Sequence, residues 1–103
     1  MRQNLLPVNA MYLSWLRDKG KKDMAPADLL IYIMILSRAD SDTLTCFPSI
    51  QTICDDCGGL DRRTVWASLD NLHGQGFISI KKSRGRPNVY FMADFFAWRK
   101  DYG

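Results

Sequence analysis

The chain has little of what most enzymes and membrane proteins need. Its 103 residues contain one histidine, His73, and three cysteines. The longest unbroken apolar run is Leu29–Leu36, far short of the roughly 20 residues that span a bilayer. Near the N-terminus, Leu5-Leu6-Pro7 soon gives way to polar residues, so no secretory signal is expected. The expected location is the cytoplasm, where three cysteines stay reduced. Ser, His and Asp do not fall into a triad spacing, and Asp55-Asp56 are adjacent and diverge on a helix. Gly58-Gly59 is not followed by the Lys-Ser or Lys-Thr of a phosphate loop. Cys54-x-x-Cys57 lacks the second close pair that a structural zinc requires. We therefore expect no enzyme, metal, cofactor or small-molecule substrate.

Acidic residues are also missing locally. None occurs from Asn71 to Ala93, while Lys81, Lys82, Arg84 and Arg86 fall inside that window. The formal net charge of +3 is modest, so its distribution matters more than its sum. With 47% hydrophobic and 24% charged residues, the composition is that of a folded globule. The length suits a single domain.

Helical spacing of Met11, Tyr12, Trp15 and Leu16 predicts a helix over Ala10–Lys19, with Asn9 as its cap. Pro26 opens a second helix that runs to about Arg38 and is apolar nearly all round. Such a helix lies at the centre of a core or against a second subunit. Asp40-Ser41-Asp42 forms a turn, and the alternating Thr43–Phe47 predicts a short strand. A third helix is expected over Ser49–Cys57, with Ile50, Ile53, Cys54 and Cys57 inward. Gly58-Gly59-Leu60 breaks it. Asp61 then caps a fourth helix, Arg62–His73, buried along Val65, Leu69 and Leu72. His73, before Gly74, suits the C-terminal dipole of that helix. Beyond Gly76, a strand over Phe77–Lys82, a turn over Ser83–Asn88 and a return strand over Val89–Met92 make a hairpin with a basic tip. Asp94 is expected to cap a final helix bearing Phe95, Phe96 and Trp98.

Residues 47–92 resemble the winged helix-turn-helix domains of phage and plasmid replication initiators and bacterial regulators. The matching stretches are Phe47-Pro48-Ser49-Ile50, Ile53-Cys54, Gly59-Leu60-Asp61-Arg62-Arg63-Thr64-Val65, Leu69-Asp70-Asn71-Leu72 and Gly76-Phe77-Ile78. Residues 26–46 fit the family's first helix and strand more loosely. The resemblance implies an α+β winged helix-turn-helix: a helical core with a small antiparallel β-wing, here with an extra N-terminal helix. The divisions expected are 1–24 for the N-terminal extension, 25–92 for the winged core and 93–103 for the C-terminal helix or tail. Three features depart from the pattern: a longer turn with both Gly58 and Gly59, Asp61 where Ser is commoner, and Trp66 on the outward face.

Physical chemistry supports a nucleic-acid partner independently. A major groove about 12 Å wide admits one α-helix whose outward face offers hydrogen-bonding groups. Opposite the buried stripe stand Arg62, Arg63, Trp66, Ala67, Asp70 and Asn71. Arg pairs bidentately with guanine and Asn with adenine. Arg84 and Arg86 flank Gly85 at a hairpin tip, and the negative potential of a minor groove favours Arg. The expected contacts to double-stranded DNA are Arg62, Arg63, Asn71, Lys82, Arg84 and Arg86. The surplus of aromatic residues points to a homodimer reading two half-sites. The expected role is marking an operator or an origin of replication or transfer. The alternatives are a protein-docking module, favoured by Trp66, and a non-specific architectural binder.

Overall fold

In a computed structural model, Ser14 and residues 24–102 are described. The helix expected over Ala10–Lys19 lies outside them, apart from Ser14, which is helical. Among the described residues the order is α1 (Pro26–Arg38), β1 (Thr45–Cys46), α2 (Ile50–Asp56), α3 (Arg62–Gly74), β2 (Ser79–Ser83), β3 (Arg86–Phe91) and α4 (Ala93–Tyr102). The strands form one antiparallel sheet in the order β1-β3-β2. Helices and a small antiparallel sheet make this an α+β fold, as expected.

Pro26 starts α1 without losing a helical hydrogen bond, because the first-turn N–H groups have no partner in the helix. The helix buries Ile31, Tyr32, Ile35 and Leu36 and leaves Leu29 and Leu30 exposed. Its apolar surface therefore exceeds what the described residues cover. Arg38, in the last turn, holds the Asp56 carboxylate through Nε and Nη2, the second contact at 2.9 Å. That pair joins the C-terminal end of α1 to the C-terminal end of α2.

Ser49 caps α2 by accepting from the Thr52 N–H at 3.1 Å. The turn after α2 needs two glycines because Gly58 and Gly59 both take positive φ, 79° and 89°. An L side chain is strained there. The Cys54 carbonyl then accepts from both Gly59 and Leu60. Asp61 caps α3 by accepting from the Arg63 N–H at 3.1 Å. Val65, Leu69 and Leu72 of α3 are buried as expected, and Ser68 joins them.

Ile31, Tyr32, Ile35 and Leu36 share one core with Ile53, Val65, Leu69, Leu72, Phe77, Tyr90 and Met92. The Tyr32 and Phe77 rings pack at 5.6 Å between centroids. Phe95 and Trp98 of α4 close the core, also 5.6 Å apart. Cys46, Cys54 and Cys57 are free and buried. Burial pushes the Cys46 thiol up to about 12, which makes it unreactive.

Several expected boundaries shift. The first strand shrinks to Thr45–Cys46 because Leu44 takes a left-handed φ of 59°. The Asp40 carboxylate also accepts from the Asp42 and Thr43 N–H groups, winding Thr43 into the turn. Phe77 and Ile78 are buried connectors, and β2 starts at Ser79. α4 begins at Ala93, one residue before Asp94, and the Asp94 N–H donates to the Phe77 carbonyl.

The largest shift concerns the hairpin tip. Arg86, Pro87 and Asn88 belong to β3 and not to the turn, which narrows to Arg84-Gly85. Ser83 pairs with Arg86, and Lys81 pairs with Val89. Two steps on β2 thus face three on β3, so the bulge takes in Pro87-Asn88. A bulge accommodates proline, which has no N–H for the ladder. Gly85 supplies the positive φ of 71° that the tight turn requires.

Candidate nucleic-acid interface

α2, the Gly58-Gly59 turn and α3 place the outward face of α3 beside the β2–β3 hairpin. Arg62, Arg63, Trp66, Ala67, Asp70 and Asn71 are all exposed. With 3.6 residues per turn they divide into strips. Arg63, Ala67 and Asp70 lie opposite the buried stripe. Arg62 and Trp66 occupy the edge facing the hairpin, and Asn71 the other edge.

Between α3 and the hairpin runs an open groove of about 470 Å³. Arg62 and Trp66 line one side, and Gly85, Arg86 and Pro87 line the other. Pro48, Ile50 and Gln51 close the end nearest α2, and Asn88 and Tyr90 sit deeper in the hairpin. The structure therefore brings Arg62 and Arg86 to one cleft from elements far apart in sequence. Lys82 and Arg84 are exposed on the hairpin, while Arg63 and Asn71 face out from α3.

Arg62 is held in place. Its Nη2 donates to Gln51 Oε1 at 2.9 Å, and Gln51 Nε2 donates to Asp55 Oδ1 at 2.9 Å. Asp55 thus orients Gln51, and Gln51 orients the guanidinium. Gln51 is the site residue that sequence reasoning missed. Its signal was available: once Ile50, Ile53 and Cys54 face inward, Gln51 and Asp55 form an outward i, i+4 pair.

Tyr90 is fully buried, and its hydroxyl completes no hydrogen bond of normal geometry. Burial pushes its pKa up, with Asn88 alongside pulling the other way. Trp66 keeps 39% of its surface exposed.

A family model described as a helix-turn-helix domain matches residues 22–78, more than half of the chain. The chain belongs to that family. No curated protein and no solved structure matches it. In this helix-turn-helix domain, α2 and α3 are the two helices of the motif, joined by the Gly58-Gly59 turn. The family match ends at Ile78, and the hairpin beyond it is the wing, making the fold a winged helix-turn-helix. The helix-turn-helix is a DNA-binding fold, so DNA is the partner class the family gives. Among the described residues, no helix is long and apolar enough to cross a membrane.

Proposed function

We propose that this helix-turn-helix protein binds double-stranded DNA sequence-specifically and marks an operator or a plasmid or phage origin. It serves transcription, replication or DNA transfer as an accessory factor, in the cytoplasm and without catalysis of its own. The observation that carries the reading is the pairing of two cationic elements. Arg62 and Arg86 face one groove from the recognition helix and the wing. Arg63, Asn71, Lys82 and Arg84 extend the polar surface on either side. The stretch from Asn71 to Ala93, which holds the wing cations, contains no carboxylate, while Asp61 and Asp70 stand near the α3 arginines. Phosphate contacts from such cations set register and affinity, and base-edge contacts from α3 set sequence.

We further propose a homodimer. Leu29 and Leu30, at 38% and 40% exposed, leave α1 with an apolar outer strip that a second copy would cover. Selection from a random duplex library at moderate salt tests both points. An enriched motif supports site-specific binding, and paired motifs at fixed spacing support the dimer. Binding without enrichment would favour an architectural role.

A protein-docking role is the second reading. Phe47, 69% exposed, and Trp66 favour it. A chain that binds no duplex at any salt concentration would establish that reading over the first.

A further inference from the structure

We propose that the groove between α3 and the wing holds one unstacked nucleotide of a DNA strand, its base laid on Trp66 and its phosphate between Arg62 and Arg86. This rests on the DNA-binding reading above and adds a preference for locally distorted DNA.

Size comes first. A groove of about 470 Å³ falls within the roughly 300–1,000 Å³ of small-ligand sites, enough for a nucleotide. Its chemistry is divided to match. Pro48, Ile50, Trp66 and Pro87 give it apolar surface, and Arg62 and Arg86 bring positive charge from two separate walls. An apolar peptide would leave those two cations uncompensated, whereas a nucleotide supplies an aromatic face and an anion together. Arg62 is already fixed by Gln51, so little freedom is lost when it takes a phosphate.

Trp66 decides against a fully paired base. Within a duplex, both faces of each base are covered by its neighbours, and an indole gains no stacking surface. An unstacked base offers a free face, and stacking on an aromatic side chain tolerates any base. The Tyr90 hydroxyl is the second, independent observation. Buried at the groove beside Asn88 without a bond of normal geometry, it has hydrogen-bonding capacity that a base edge would fill. A buried hydroxyl whose bonding is incomplete is costly, and a bound nucleotide would relieve that cost.

The test compares an intact duplex with the same duplex carrying a single unpaired 2-aminopurine. The wild-type chain should bind the bulged DNA about tenfold more tightly, as one stacked base supplies, and should quench the 2-aminopurine emission. Trp66→Ala should abolish both the preference and the quench, and Trp66→Phe should retain most of each. Equal affinity of the wild-type chain for the two DNAs overturns the proposal while leaving duplex binding intact. Bulge binding without duplex binding keeps the groove assignment and overturns the duplex reading. Quenching that persists in Trp66→Ala places the base elsewhere and also overturns the proposal.

Discussion

Gln51 of α2 holds Arg62 of α3 across the helix-turn-helix turn, accepting from its guanidinium at 2.9 Å. The contact sets where a cation stands relative to the wing. Gln51→Ala should therefore weaken DNA binding about two- to tenfold by freeing Arg62. Folding stability should change by less than about 0.5 kcal/mol, since both side chains are exposed. Fluorescence anisotropy alongside urea denaturation separates the two effects. A stability loss that tracked the affinity loss would assign Gln51 a structural role.

The wing should announce itself in salt dependence. Each phosphate contact contributes about −0.9 to the slope of log affinity against log salt. The double variant Arg84→Ala/Arg86→Ala should lower the magnitude of that slope by about 1.8 if each arginine meets one phosphate. An unchanged slope would place the wing off the DNA.

Tyr90→Phe removes a buried hydroxyl that has no completed hydrogen bond. The variant should be as stable as the wild-type chain or more so, by up to about 1 kcal/mol. A gain of that size would raise Tm by roughly 4–8 °C. The preference for bulged DNA should fall in the same variant. Calorimetry and the two-duplex comparison read the two outcomes separately.

Acid should loosen the junction of α1 and α2. The hydrogen bond from Arg38 holds the Asp56 carboxyl below its ordinary value, against a smaller opposing effect of burial. A depressed carboxylate stabilises the fold above its unfolded pKa of about 3.9, and the contribution disappears as pH falls through the folded value. Arg38 is raised by the same contact, so its share would be lost only in strong alkali. The pair is partly solvated, with side chains 44% and 19% exposed. Asp56→Asn should thus cost about 0.2–1 kcal/mol at neutral pH. Denaturation curves of the two chains should converge below pH 4.

Gly59→Ala tests the turn. An added Cβ would meet nothing within 4 Å, so the cost comes only from φ, which is 89°. About 1–2 kcal/mol of destabilisation is expected. A larger loss would mean that the turn also moves α3.

Much of this was legible in the sequence because local chemistry dictates it. Asp61 before a helical stripe can be recognised as a cap without any tertiary knowledge, and the stripe Val65, Leu69, Leu72 follows from period alone. Three things were not legible. Leucine rarely takes positive φ, so nothing in Thr43–Phe47 revealed that Leu44 would cut the strand short. Proline ordinarily argues against a strand, and Pro87 hid the start of β3 because the bulge that accommodates it exists only through pairing with β2. The cleft itself joins Arg62 to Arg86, and such a meeting depends on how the hairpin folds back toward α3. Of the six expected contact residues, Arg62 and Arg86 line the cleft.

The sheet order β1-β3-β2 gives the wing a property that its charge does not. β3 carries Arg86 at one end, and near the other Tyr90 and Phe91 are hydrogen-bonded to strands on both sides. A strand clamped at its base on two edges resists hinging. On the proposed DNA-binding reading, the arm would act as a ruler of fixed length, setting the span between α3 and the hairpin tip on the DNA. Inserting one base pair between those two contact regions in a target should cost binding that the wing cannot recover by bending.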